Sequence, residues 1–414
     1  MVSVAILGHG VVGSGVAEIL LTHKQKLFAS VGEEIYIKRI LDLREFPDSP
    51  VADRFTKNFE DIINDVDIRV VVEVMGGTNP AYDFVKRSLL CGKDVVTSNK
   101  ELVAKHGAEL LQIAKDNNCN FLFEASVGGG IPIIRPMNQC LVANNVSEIA
   151  GILNGTTNFI LTKMIDEGMD FDTALKLAQD LGYAERNPEA DVEGHDACRK
   201  ICILASLAYS KHIYPEAVHT EGITNITLED VKYAAIWGGV IKLIGKVKLT
   251  EDKKCDIVVA PMFVPNKSQL ANIDDVFNGI MVRGDCTGDV VFYGKGAGKL
   301  PTASAVVADI VDCVHHLDNR KQLFWADSDN SSVLDYKESV TAMYIRVATD
   351  DKDFAYNKAK ELFNDIHVLE NPDAKENDFA FVCEPLTYGE IIKNIDALSD
   401  CGVKVCSAIR IGDL

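Results

Sequence analysis

A glycine turn near the start of the chain constrains the fold more than any later stretch. VSVAILGHGVVGSGVAEILL reads as a short apolar strand, a turn and an amphipathic helix. Gly8, Gly10 and Gly13 make G-x-G-x-x-G after a strand and before a helix, the context that separates a dinucleotide loop from an incidental glycine turn. Gly8 permits the tight turn, Gly10 lets a pyrophosphate approach the backbone, and Gly13 allows close packing of helix on strand. The phosphates sit on the helix N-terminus, where N–H groups point outward. The motif implies a dinucleotide and is silent about the reaction.

The following segments supply the rest of an α/β fold. EIYIKRILDL ends at Asp42, with Arg44 two residues on. An acid here accepts hydrogen bonds from the ribose 2′-hydroxyl of NAD, whereas an arginine holds the 2′-phosphate of NADP. Both are present, so the sequence does not choose between the cofactors. IRVVVEVMGG reads as a buried parallel strand closed by paired glycines. KDVVTSNKELVAKHGAEL is a strand and then a helix, with Lys100 just past the strand's carboxyl end, where ligands of open α/β sheets bind. FLFEASVGGGIPIIRP adds Glu124 and a glycine triplet at 128–130. A Rossmann-type dinucleotide-binding domain is expected over residues 1–135, with a helix at about 301–320 returning to it. That helix follows the glycines 294, 296 and 298 and is expected to begin near Pro301–Thr302. Residues 136–300 are expected to form an α+β catalytic and dimerisation domain.

Within that middle region, AERNPEADVEGHDACRK (184–200) gathers Glu185, Asp196 and Lys200 ahead of an apolar run, ICILASLAYS. Helical spacing of Ile201, Leu204, Ala205 and Ala208 starts a helix near Gly194 that puts Asp196 and Lys200 on one side. A surface ion pair is the bland reading, and the buried character of the run that follows argues against it. A partly desolvated lysine beside a carboxylate suits proton transfer. Upstream, Asn154, Thr156, Thr157 and Asn158 in NGTTN either line a polar pocket or cap a helix, and capping is favoured.

Composition sets the outer bounds. A chain of 414 residues supports two or three domains. A net charge of −19 with no basic block argues against nucleic acid. No run of eighteen apolar residues spans a membrane, and the N-terminus lacks a signal-peptide pattern. Eleven cysteines without a CxxC pair fit reduced thiols, so the expected compartment is the cytoplasm. Cys198 and Cys202 share a helix face, where packing is the simpler role. No HExxH or cysteine cluster points to zinc.

Six stretches in order, LGHGVVGSGV, VTSNKELVAKHG, EASVGGGIPIIRP, GILNGTTNFIL, DLGYAERNPEADVEGHDACRK and GKGAGKLPTASAVVADIVD, resemble the homoserine dehydrogenase family over residues 3–320. The resemblance implies reversible NAD(P)-dependent interconversion of L-homoserine and L-aspartate 4-semialdehyde in threonine and methionine biosynthesis. It implies Lys200 as the catalytic acid/base, Lys100 at the junction of cofactor and substrate, and Glu185 and Asp196 as substrate-binding. It implies cofactor contacts at His9, Val11, Val12, Lys100, Gly182 and Gly298, with His9 standing where phenylalanine is common. It further implies a monovalent cation, sodium in most members, on the backbone carbonyls of Glu124, Val127, Gly129 and Ile131. A homodimer or homotetramer fits the family.

The tail, residues 338–414, reads as strand, helix, two strands, helix, strand. This βαββαβ order fits a ferredoxin-like module and resembles the ACT regulatory domain. Such domains usually carry a glycine turn after the first strand, and DDKDFAY stands there instead. Weak or absent inhibition by threonine is therefore expected, with oligomerisation the simpler role. Two rival functions stand beside the resemblance. Another NAD(P)-dependent dehydrogenase of a small hydroxy or aldehyde amino acid uses the same cofactor loop. A non-enzymatic nucleotide-sensing regulator uses the same fold, but has no need of Lys100, Glu185, Asp196 and Lys200 together.

Overall fold

Six parallel strands make the first sheet: β1 (Val2–Leu7), β2 (Ile35–Leu41), β3 (Phe55–Thr56), β4 (Ile68–Glu73), β5 (Asp94–Thr97) and β6 (Phe121–Leu122). Their order is β3-β2-β1-β4-β5-β6, so the chain reverses direction across the sheet between β1 and β4. All six residues of β1 are buried, as an apolar run in a sheet covered on both faces must be. The computed structural model that carries this sheet describes residues 1–317 and 319–414.

The helix Val11–Thr22 follows β1, and the helix Lys299–His315 packs against it at close range. A Cβ on Gly15 would lie 2.9 Å from that of Ala303, so glycine is what lets the two axes approach. Lys299 also pairs with Glu18 at 2.7 Å. The returning helix begins two residues before the expected Pro301. Gly298, at φ +128°, turns the chain, and Pro301 falls in the first turn, where its missing N–H costs nothing.

The second sheet has ten strands: β7 (Val146–Ile152), β8 (His219–Thr220), β9 (Gly239–Leu249), β10 (Cys255–Pro265), β11 (Phe277–Gly284), β12 (Gly288–Lys295), β13 (Val340–Ala348), β14 (Ile366–Val368), β15 (Asp378–Thr387) and β16 (Lys404–Ile411). Nine run in the order β12-β11-β7-β9-β10-β16-β13-β15-β14, and β8 pairs with β10. The last four, with helices Lys352–Phe363 and Tyr388–Asp400 between them, reproduce the βαββαβ order, all pairs antiparallel. Their core is Phe363, Phe381, Ile391 and neighbours.

Two compact units result. One holds Met1–Asn145, Cys202–Pro215 and Phe292–Asn330; the other holds Val146–Ile201, Glu216–Val291 and Ser331–Leu414. Residues 338–414, read from sequence as a separate module, lie inside the second unit. The reason is strand pairing: β16 adds to β10 through Met262↔Arg410 and Phe263↔Ile411, so the tail extends an existing sheet. Buried Arg346 reinforces this, bonding Asp230 at 3.0 Å, while the Tyr344 hydroxyl donates to the same carboxylate at 3.1 Å. Among the described residues no helix is long and apolar enough to cross a membrane. The eleven cysteines are free thiols.

Candidate functional site

In the first unit the glycine loop sits at the carboxyl end of β1, beside the point where strand order reverses, the place where open α/β sheets bind ligands. Gly8 adopts φ +96°, a conformation that side chains resist. A Cβ on Gly13 would lie 2.0 Å from the Gly8 carbonyl oxygen, an impossible overlap, whereas one on Gly10 would meet nothing within 4 Å. The two glycines therefore do different jobs, one closing the loop and the other leaving space above it. Gly10 caps the helix without a side-chain bond, and Val11 is exposed, so the N–H groups of the first turn are available to an anion. Val12 is half-buried beside it. These features fit a dinucleotide pyrophosphate.

Asp42, just past β2, takes the His9 N–H at 2.8 Å and three donors from Arg44: the backbone N–H and Nε at 3.0 Å, and Nη2 at 2.8 Å. The Arg44 side-chain bonds, opposed by burial and aided by the backbone N–H donors, hold the Asp42 carboxyl well below the usual carboxylate range. The acid and the arginine are thus one unit, with the guanidinium outermost. His9 packs edge-on against Phe46 and Phe55, at 4.8 and 5.0 Å between centroids, and burial lowers its pKa. The ring is thus held by aromatic neighbours at the mouth of the glycine loop.

Lys100 is the first residue of the helix Lys100–Asp116 after β5. Its emergence is fixed by residues that the sequence reading did not single out. The Thr97 hydroxyl donates to buried Glu73 at 2.6 Å, Asn99 donates to the Gly77 carbonyl at 2.6 Å, and the Asn99 side chain caps the helix by accepting from the Leu102 N–H. Burial pushes the Glu73 carboxyl up. The polar Thr-Ser-Asn run between a strand and a helix was the available signal.

The glycine triplet after Glu124 is tightly folded. Glu124 accepts three backbone N–H groups, from Ile133 at 2.6 Å, Ile134 at 2.8 Å and Arg135 at 2.7 Å. These three bonds turn the Glu124 carboxylate inward onto its own loop. Gly129 has φ +56°, and a Cβ there would lie 2.2 Å from the Gly296 carbonyl, so this loop abuts the turn leading to Gly298. Val127 and Ile131 are buried in the same loop. Among the described residues no three His, Cys, Asp or Glu side chains converge as a metal site.

The helix His195–Tyr209 starts one residue after Gly194, and in its first turns, which belong to the second unit, Asp196 and Lys200 pair at 2.8 Å. They are 3% and 7% exposed, which makes the surface reading untenable. Lys200 Nζ also donates to the Leu153 carbonyl at 2.7 Å. Asn154 caps the helix Gly155–Glu167, as expected, by accepting the Thr157 N–H at 2.9 Å. Its Nδ2 in addition donates to Asp191 at 2.7 Å and to Asp196 at 2.9 Å, so capping and site-building are one act. The Thr156 hydroxyl donates to the Tyr183 carbonyl at 2.8 Å, tethering the loop with Gly182 (φ +76°) and Glu185. Glu185 itself is exposed on that loop. Asn158 turns away, donating to the carbonyls of Ile273, Asp275 and Phe277, and so serves the scaffold. Asp191 and the Leu153 carbonyl are the members of this cluster that sequence reasoning gave no role, and Asn154 joins it beside the capping role favoured for it.

Comparison with known proteins agrees in one direction. Family models described as "Homoserine dehydrogenase, NAD binding domain" and "Homoserine dehydrogenase" match residues 8–124 and 132–311. A homoserine dehydrogenase of Bacillus subtilis is 43% identical over 75% of this chain and 72% of its own length. One of Neisseria gonorrhoeae is 39% identical over 85% and 82%. A crystal structure of a homoserine dehydrogenase from Thiobacillus denitrificans superposes with a TM-score of 0.92 at 34% identity, covering 100% of this chain and 98% of that one.

Proposed function

The chain belongs to the homoserine dehydrogenase family, NAD(P)-dependent oxidoreductases acting on a CH–OH group, and from that premise we propose how its residues divide the reaction. The reaction interconverts L-homoserine and L-aspartate 4-semialdehyde. The nicotinamide supplies the hydride for reduction of the aldehyde and takes it back in the reverse direction. Lys200 holds the proton that goes to the aldehyde oxygen as it becomes a hydroxyl, and recovers it on oxidation. Asp196 keeps the lysine in place through the 2.8 Å contact, and Glu185 on its exposed loop holds the substrate ammonium group. Lys100, at the start of its helix, serves the meeting point of cofactor and substrate.

Gly8, His9, Gly10, Val11, Val12 and Gly13 form the pyrophosphate cradle, with Gly182 and Gly298 as further cofactor contacts. Arg44, already anchored on Asp42 and outermost, favours a 2′-phosphate, so NADP is accepted beside NAD. A sodium ion, where bound, would be held by the backbone carbonyls of Glu124, Val127, Gly129 and Ile131. The βαββαβ tail acts as an ACT-like module that joins subunits in a dimer or tetramer, with threonine a weak effector or none. The observation that carries the reading is the buried Lys200–Asp196 pair, with the Asn154 amide shared between Asp196 and Asp191. An absorbance assay of NADPH and NADH oxidation with aspartate 4-semialdehyde tests it: saturable turnover is expected, and none with either cofactor would contradict it.

A further inference from the structure

Leu153 and Asn154 are consecutive residues between β7 and the helix Gly155–Glu167, and between them they grip both members of the buried pair. The Leu153 carbonyl takes the Lys200 ammonium, while the Asn154 amide donates to the same Asp196 oxygen, Oδ2, that faces Nζ. Asn154 is 5% exposed, so little else competes for its hydrogens. The orientation of its amide is dictated by its neighbours. Oδ1 accepts the Thr157 backbone N–H at 2.9 Å, which leaves Nδ2, with two hydrogens, directed at Asp191 and Asp196. No other assignment satisfies both the helix N-terminus and two carboxylates.

We propose that Asn154 is a positioning residue for proton transfer: it fixes the rotation of the Asp196 carboxylate, and through it the placement of Lys200 Nζ. This rests on the reaction proposed above and adds a member that does not itself meet the substrate. The physical case is geometric. An aspartate on a helix can rotate about its side-chain bonds. One oxygen bound by both Nζ and Nδ2 at 2.8 and 2.9 Å cannot turn without losing two charge-assisted contacts. Asp191, bound by the other amide hydrogen at 2.7 Å, anchors Asn154 from the opposite side. The helix cap makes the arrangement rigid, because the group that orients the pair is also the group that starts a buried helix.

Asn154→Ser separates the two roles, since a serine oxygen still caps the helix, while its one hydroxyl hydrogen on a shorter side chain cannot replace the two amide hydrogens held by Asp191 and Asp196. Misplacement of a reacting group by about 1 Å can cost on the order of 100-fold in rate, so kcat is expected to fall by about 10- to 100-fold. The KM for the cofactor should stay near that of the unmodified chain, and kcat is taken per folded site because Asp191 and Asp196 each lose a charge-assisted bond and the thermal midpoint falls. In an Asp196→Asn background the same substitution should cost less than about twofold, because the carboxylate it orients is gone. A kcat within about twofold of the unmodified chain overturns the proposal, as does an undiminished loss in the Asp196→Asn background. A crystal structure of Asn154→Ser with the Asp196 carboxylate unmoved overturns it independently of any assay. Failure of the unmodified chain to turn over aspartate 4-semialdehyde is a different result and speaks against the reaction itself.

Discussion

Two acid–base pairs written into short stretches of this chain end in opposite environments. Asp42 and Arg44 meet at 2.8 Å with the arginine side chain 63% exposed. Asp196 and Lys200 meet at the same distance with side chains 4% and 9% exposed. Spacing alone does not distinguish them, since either could be a surface contact. What differs is the surroundings: the Arg44 guanidinium lies against Phe46 and open solvent, whereas Lys200 is enclosed by Leu153, Asn154 and Asp191 around Asp196. With Asp42 buried and only the Arg44 guanidinium in solvent, the outer member of that pair is open to a variable group on a cofactor. A buried pair is fixed, which suits a proton that must be delivered to one place.

The comparison predicts unequal costs. Removing one partner of a buried ion pair leaves a charge without compensation and typically costs about 3–5 kcal/mol. Asp196→Ala should therefore lower the denaturant midpoint strongly, while Arg44→Ala leaves it unchanged. Equal shifts would break the distinction between the pairs. Within the cofactor loop the same logic applies to glycines. Gly13→Ala, with its Cβ forced against the Gly8 carbonyl, should destabilise by about 1–3 kcal/mol and weaken cofactor binding. Gly10→Ala should fold normally and lose affinity alone, as read by nucleotide titration and thermal melting side by side.

Smaller effects sharpen the functional side. Arg44→Ala should raise the KM for NADP by about tenfold, the loss of one charge-assisted contact, and that for NAD far less. Equal changes for the two cofactors would show that Arg44 does not read the 2′ position. Thr156→Val removes the tether on the Tyr183 carbonyl, worth about 1 kcal/mol, so the KM for homoserine should rise about fivefold with kcat nearly constant. A matching fall in kcat would mean that the Glu185 loop takes part in the chemical step.

The parts legible in the sequence were those set by local geometry. A positive φ at Gly8 and a forbidden Cβ at Gly13 are backbone facts, and a backbone that tolerates only glycine writes glycine into the chain. The βαββαβ order of the tail came through periodicity for a similar reason. The network around Lys200 did not, because Asn154 reaches Asp191 and Asp196 across 37 and 42 residues of sequence. Its local role as a helix cap was visible and was favoured over a place in a polar pocket. The joining of β16 to β10 was likewise out of reach, since a strand's own sequence does not name its partner. The same holds for Glu73 and Thr97, which meet across 24 residues.

The account stands on Lys200 as the proton-transfer residue, and one measurement addresses it directly. General acid–base catalysis is worth about 10²–10⁴-fold in rate. Lys200→Ala will also lose stability, so kcat is to be taken per folded site, counted by nucleotide binding. The account predicts a fall of about 100-fold or more with cofactor affinity close to that of the unmodified chain. A loss below about tenfold per folded site would contradict it and leave Lys200 and Asp196 as a structural pair.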